Sequence, residues 1–272
     1  MISDIKNQVK SAKLTLLQMH YNSHVGHLGG NLSVIDSLYT VFSQKQPQDI
    51  VLVSKGHAAG AIYSCLAELN LIKKEDLHSF HKDGTLLAGH PAVNTHKEIV
   101  FATGSLGHGL SLSAGLALAK RLKLQATQQN SVVESLGLVH CFTSDGDWQE
   151  GSTWEALIFL THQELSNLVI WVDANRLQGF GDTKSVASMS DLLNKIRPFK
   201  IDCIEIDGHD LQAIQHAFRI SQTQSQKKRP LLIYMNTTKG KGVSYMENKM
   251  EWHYLPMTKE QYEIAVKEVQ ES

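Results

Sequence analysis

The chain has 272 residues, of which 42% are hydrophobic and 19% charged, and its net charge is −1. That length suits one large domain or two small ones, and the composition is that of a soluble globular protein with a sizeable core. The near-neutral balance gives no electrostatic case for a nucleic acid or an anionic membrane as partner.

In chain order, residues 3–20 are predicted to form a helix, started by Ser3 or Asp4, with Ile5, Val9, Ala12, Leu16 and Met19 along one side. This polar beginning lacks the apolar stretch of a signal peptide. Nowhere does an apolar run approach the roughly 18 residues that would span a membrane. A loop, NSHVGHLGGN (22–31), leads to a helix over 32–44. Asn31 opens a glycosylation sequon, which carries no weight without a secretion signal. Residues 49–54 read as a short apolar strand, 55–70 as a loop running into a helix, and 83–96 as loop throughout. GSLGHG (104–109) is a Gly-rich turn entering a helix of small residues.

The second half alternates. Strands are predicted over 136–143, 168–173, 202–206 and 231–236, with helices over 151–163, near 189–196 and over 210–224. QTQSQKKR (222–229) reads as a solvated loop, and a short amphipathic helix follows Thr258. Uniformly apolar strands alternating with helices imply a mainly parallel sheet covered on both faces, an α/β/α three-layer fold. No internal repeat or linker divides the chain, so residues 1–272 are taken as a single domain. Cys65, Cys141 and Cys203 are odd in number, widely spaced and set among apolar residues, as expected of reduced thiols in a cytoplasmic protein.

Fourteen His is a high count, and His27, His57, His90, His108 and His209 each stand beside Gly. Core packing explains such loop histidines poorly, so they hint at a site. Parallel sheets bind ligands at the carboxyl ends of their strands. Ser144-Asp145-Gly146 sits at one such end, and Asp173-Ala174-Asn175 at the next. Asp145 and Asn175 are 30 residues apart, about one strand–helix–strand unit, so neighbouring strands would set a carboxylate beside an amide oxygen. Hard oxygen donors suit Mg²⁺ or Ca²⁺ with a phosphate completing the shell. Gly146 lets the backbone approach a diphosphate, and a helix starting near Gly151 could aim its N-terminus at an anion. Taken singly, Asp145 and Asn175 are ordinary turn residues; the pair at this spacing, with Glu150 between, outweighs that reading. Other motifs are weak. GSLGHG does not follow a long strand, no P-loop or GxSxG elbow is present, and His78 with His81 reads as a solvated helix face.

Asp145-Gly146 followed by Asn175 resembles the thiamin diphosphate motif, and the chain resembles the N-terminal, diphosphate-binding half of transketolase from end to end. The resemblance is carried in order by GHLGGNLS (26–33), LVSKGHAAGAIYS (52–64), LAGHPA (87–92), TGSLGHGLSLSAGLALA (103–119), IEIDGHD (204–210) and TTKGKGVSYMENKMEWH (237–253). It implies the thiamin diphosphate-binding (PP domain) fold and a transfer of two-carbon ketol units from a ketose or its phosphate to an aldose or its phosphate. It also implies that Asp145, Asn175 and the Leu177 carbonyl bind Mg²⁺ (or Ca²⁺) with thiamin diphosphate. Gly146 and His57 would contact the diphosphate end, and Gly104, Ser105 and Leu106 the aminopyrimidine. Glu150 would sit at the cofactor and dimer interface. His27, His90 and His253 would line the funnel and handle the sugar's C1 and C2 oxygens. Ser144, Ala174, Ser105, His108 and Leu28 depart from the family pattern, and of these Ser105 and His108 bear on the aminopyrimidine contacts.

The family's pyrimidine-binding domain, with the Glu that activates the cofactor, finds no counterpart in this chain. The resemblance therefore implies a split transketolase, inactive alone, completed by a C-terminal subunit that carries the pyrimidine domain, the assembly being a homodimer or heterotetramer. Other split thiamin diphosphate enzymes remain open: a 2-oxo acid dehydrogenase α subunit, or a 1-deoxyxylulose-phosphate synthase-like enzyme. GHLGG and SKGH favour transketolase, because their His sites serve a hydroxylated donor. A non-catalytic subunit retaining the fold is the alternative from another class.

Overall fold

The computed structural model describes residues 2–127, 137–189 and 191–272. Its framework is a five-stranded, wholly parallel sheet of β1 (Ile50–Val53), β2 (Val139–Ser144), β3 (Leu168–Ala174), β4 (Asp202–Asp207) and β5 (Leu231–Asn236), in the order β1-β2-β3-β5-β4. β2 and β3 are buried at every position, which is why their sequences run apolar without alternation. β4 lies at the edge and is only half buried, so Asp202, Glu205 and Asp207 are tolerated there.

The helices are α1 (Ile2–Ser23), α2 (Leu28–Leu32), α3 (Ile35–Gln44), α4 (Ala59–Glu68), α5 (Gly109–Thr127), α6 (Gly151–His162), α7 (Thr183–Val186), α8 (Leu192–Ile196), α9 (Leu211–Gln222) and α10 (Lys259–Glu271). Two apolar clusters divide the sheet's faces. Val169 and Trp171 of β3 point into the cluster that holds α1, α3, α4, α9 and α10, whereas Ile170 and Val172 point into the one that holds α5, α6 and α8. Phe142 and Trp171 stack on the first face at 5.6 Å between ring centroids. α10 begins with a Thr258–Gln261 capping box and closes on α1, where Tyr262 stacks on Tyr21 at 4.4 Å.

The predicted α/β/α architecture is the observed one, with local differences. The helix expected over 32–44 is two helices, α2 and α3, and α2 starts inside the predicted loop. Two glycines make α2 a poor helix by propensity. Tertiary packing decides instead: a Cβ on Gly29 would lie 2.9 Å from the Lys239 side chain, and every α2 residue is buried. The predicted strand start at residue 136 and the Ser190 part of the short helix lie outside the described residues. The 222–229 loop is not wholly solvated, because Gln224 is buried and its amide donates to the Arg229 carbonyl at 2.6 Å. Asn31 is fully buried, its amide donating to the His27 and His57 carbonyls, so it is a structural strut and no glycan acceptor. Cys65 and Cys141 are buried, Cys203 partly so, and all three are free thiols. No described helix is long and apolar enough to cross a membrane.

His140 is fully buried in β2, where its Nδ1 accepts from the Trp171 indole at 3.2 Å. Burial lowers its pKa from 6.5 to about 3. The unfolded chain therefore binds a proton below pH 6.5 that the native state refuses, and stability falls as pH drops from 6.5 toward 3. In urea titrations at pH 7 and pH 5, His140→Gln should lose about 2 kcal/mol less on acidification than the parent chain. Equal losses would contradict the assignment.

Candidate active site

Parallel strands put all their carboxyl ends on one rim, and this rim gathers the polar residues of the chain. Ser144 pairs in register with Asp173, so β2 and β3 end side by side. The Asp145 carboxylate accepts the Gly146 N–H at 2.9 Å and the Arg176 N–H at 2.6 Å, which draws the two strand exits together. The Asn175 Oδ1 accepts the Leu177 N–H at 3.0 Å. Asp145, Asn175 and Leu177 line one cleft of about 240 Å³. Gly146, Gly104 and Leu106 line it as well, with His27, His57, His90 and His253 at its other end. Two predicted site residues are not among those lining the cleft: Ser105 and Glu150 are both exposed beside it. α6 begins at Gly151, which does not line the cleft.

Beneath the cleft lies a fully buried ion pair between Lys55 and Asp173. Burial pushes the Asp173 carboxyl up, but the Lys55 ammonium and hydrogen bonds from Ser33 and Thr237 outweigh it and hold the carboxyl below its usual range. Asp145 has no ion-pair partner among the described residues, and burial followed by the Asp173 charge raises its pKa to about 7, outweighing the Arg176 and Gly146 N–H bonds and the more distant Lys55 charge. Lys239 is also buried and reaches into the cleft, donating to the Leu177 carbonyl at 3.1 Å, with the His253 Nδ1 also at 3.1 Å. Burial and then the Lys55 charge lower it to about 8. One raised carboxylate, an amide oxygen, a backbone carbonyl and an ammonium thus share a small volume. The oxygens fit a hard divalent cation, and the ammonium fits an anion such as a diphosphate. No group of three or more His, Cys, Asp or Glu capable of holding a metal occurs among the described residues, so an ion here would need oxygens from its ligand.

At the other end the histidines touch. His27 lies 5.7 Å from His57 and from His90 and 5.2 Å from His253 between ring centroids, and His57 lies 5.3 Å from His253. Burial lowers all four, helped by neighbouring cations and imidazoles: His27 and His253 to about 4, His57 well below 6.5. Neutral imidazoles each offer one donor and one acceptor, the equipment for holding hydroxyl and carbonyl oxygens or moving a proton near pH 7. His108 and His209 stand apart. His108 is exposed, and His209 bridges Asp36 and the Thr238 N–H behind the Lys239 loop.

Sequence reasoning passed over Lys55, Asp173, Lys239 and Asp147. The lysines lie within SKGH and TTKGKG, but lysine is an exposed residue by default, and only the fold reveals its burial. Asp147 had no signal beyond one more acid in a turn. It is buried and accepts from the Ser144 N–H at 2.7 Å, the Ser144 hydroxyl at 2.9 Å, the Ser54 hydroxyl at 2.5 Å and the Gly107 N–H at 2.8 Å. It therefore ties the exits of β1 and β2 to the loop that carries Gly104 and Leu106. Gly107 has φ +83, and a Cβ there would lie 2.6 Å from the Glu150 Cβ, so only glycine lets that loop close. Asp147→Asn places an amide N–H₂ against donors. It should cost about 2–3 kcal/mol in urea unfolding; a loss within about 0.5 kcal/mol would refute this role.

Residues 6–269 match the family described as "Transketolase, thiamine diphosphate binding domain". The chain is 33% identical to one subunit of the apulose-4-phosphate transketolase of Phocaeicola vulgatus, covering 99% of this chain and 95% of that one. It is 31% identical to "6-deoxy-6-sulfo-D-fructose transketolase subunit SqwG" of Clostridium sp., over 98% and 96%. Among solved structures, the transketolase of Campylobacter jejuni superposes with a TM-score of 0.87 at 26% identity, over 99% of this chain but 43% of that one. The chain belongs to the transketolase family, as its thiamine diphosphate-binding domain.

Proposed function

We propose that the chain is the diphosphate-binding subunit of a two-chain transketolase, active only with a second subunit that carries a pyrimidine-binding domain. The observation that carries this reading is the joining, in one cleft, of three oxygen donors from the β2 and β3 exits with four neutral histidines. Relatives of matching length are themselves named as single subunits of transketolases, which supports a partner chain. On this reading residues 1–272 form one domain, the assembly is a heterotetramer in the cytoplasm, and the substrates are sugars or their phosphates.

The donor set assigns the roles. Asp145, the Asn175 side-chain oxygen and the Leu177 carbonyl would hold Mg²⁺, or Ca²⁺ in its place, together with thiamin diphosphate. Gly146 and His57 would contact its diphosphate end, whose charge Lys239 would offset. Gly104 and Leu106 would contact the aminopyrimidine. Ser105 and Glu150, exposed in this chain, face the partner subunit. Bound thiamin diphosphate supplies the chemistry that breaks and forms the bond beside a ketose carbonyl. His27, His90 and His253 orient the sugar's C1 and C2 oxygens, donating to a developing alkoxide or accepting a hydroxyl proton. Because His27 and His253 titrate near pH 4, they stay neutral at pH 7 and can do either.

Calorimetry with Mg²⁺ and thiamin diphosphate tests the metal set. Asp145→Ala should weaken binding on the order of 100-fold. In the parent chain, affinity should also fall as pH drops below 7, because protonated Asp145 no longer serves as a ligand. Mixing the chain with its pyrimidine-domain partner tests the reaction. The pair should transfer ketol units and neither chain alone should do so. Full activity from this chain alone would sink the two-chain reading, and absence of cofactor binding even with the partner would favour a non-catalytic subunit.

A further inference from the structure

Two histidines outside the cleft differ in how they are held. His20 is buried and pressed on α4: a Cβ on Gly60 would lie 2.2 Å from its Nε2, so only glycine at position 60 admits the ring. It packs the core. His209 is held through both of its ring nitrogens instead. It sits in the turn between β4 and α9, and its side chain is 12% exposed. Its Nδ1 lies 3.2 Å from the Asp36 carboxylate of α3, and its Nε2 accepts the Thr238 N–H at 2.8 Å. A ring nitrogen that accepts carries no proton, so the ring is the Nδ1–H tautomer and donates to Asp36. Asp36 is itself buried and paired with the Lys13 ammonium of α1 at 2.7 Å. Burial pushes its carboxyl up, but Lys13 and the His209 hydrogen bond outweigh this and hold it below its usual range. A charged acceptor on Nδ1 is what keeps a histidine in one tautomer and one orientation.

The other end of this relay is the loop after β5. Gly208 lets the two segments meet, since a Cβ there would lie 2.4 Å from the Thr237 side chain. Three anchors hold the loop. Thr237 donates to Asp173, the Thr238 N–H to His209, and the Gly240 N–H to the Gly29 carbonyl at 2.9 Å. Among them stands Lys239, buried, with its ammonium in the cleft on the Leu177 carbonyl and beside His253. A lysine side chain has much rotamer freedom to lose, so a fixed backbone is what aims its ammonium. The anchor next to Lys239 in sequence is the one that His209 supplies.

We propose that His209 is a positioning residue: locked as the Nδ1–H tautomer by Asp36, it fixes the Thr238 N–H and so aims Lys239 at the diphosphate of the ligand. The diphosphate rests on the thiamin diphosphate reading above; the link from His209 to Lys239 does not.

Two measurements test it. The first needs no ligand. In the full chain with isotope-labelled lysine, His209→Leu should move the Lys239 ammonium signal, identified by its loss in Lys239→Met. The signal of Lys45, ion-paired with Glu98, should stay in place. His209→Gln, whose Oε1 can accept where Nε2 does, should leave both in place. A Lys239 signal unmoved by His209→Leu, or moved together with that of Lys45, would overturn the proposal. The second is calorimetry on the two-chain enzyme with Mg²⁺. His209→Leu should weaken thiamin diphosphate about tenfold, and His209→Gln less than about twofold. In a Lys239→Met background the Leu substitution should cost less than about twofold, because its effect runs through an ammonium already removed. Equal losses in the two backgrounds, or none in the parent background, would also overturn it. If the parent pair binds no thiamin diphosphate, the cofactor reading falls and the lysine signals alone decide for or against His209.

Discussion

The rim of this sheet depends on one buried ion pair. Lys55 follows β1, Asp173 belongs to β3, and neither side chain is exposed. Either charge left alone there would be costly, about 3–5 kcal/mol for a broken buried pair. The pair is held by further hydrogen bonds. Lys55 also donates to the Gly30 carbonyl at 2.7 Å, and the Ser33 and Thr237 hydroxyls donate to Asp173. These partners come from the segment after β1, α2 and its exit, β3 and the segment after β5. A single electrostatic contact therefore fixes the relative positions of four segments that each add a wall to the cleft.

The same pair sets the field felt by everything above it. Asp173 helps raise Asp145, while Lys55 helps lower Lys239, His57 and His253. Burial is the larger cause in each case, and the pair adds to it. The cleft is zoned as a result. One end is rich in oxygen donors with a single ammonium and calls for a cation and an anion together. The other end is lined by imidazoles that stay uncharged and call for hydroxyls. A tenfold preference between protonation states is worth about 1.4 kcal/mol, and burial with the pair's field supplies enough of it to hold this zoning near neutral pH.

Much of the fold was legible. β2 and β3 announced themselves as unbroken apolar runs ending in polar residues, and a spacing of one strand–helix–strand unit set Asp145 beside Asn175. Of the five Gly-flanked histidines, His27, His57 and His90 reach the cleft, where they meet His253, and His108 and His209 do not. What escaped was tertiary in origin. α2 forms against propensity because Lys239 packs on its glycine. Lys55 and Lys239 look like surface residues until the sheet buries them. Asp147 reads as a turn acid, and its four donors come from three separate segments. Ser105 and Glu150 are exposed, and no single-chain geometry can weigh residues whose proposed surroundings belong to another subunit.

Gly60 has a consequence for how the chain can vary. Positions 20 and 60 are far apart in sequence, yet the imidazole of one occupies the space where the other would carry its first side-chain atom. A step away from glycine at 60 is barred while histidine remains at 20, so substitutions at the two sites are strongly non-additive. Descendants of this sequence that abandon the histidine are free to fill the gap, and those that keep it are not. In any lineage of such subunits, the two positions should change as a pair.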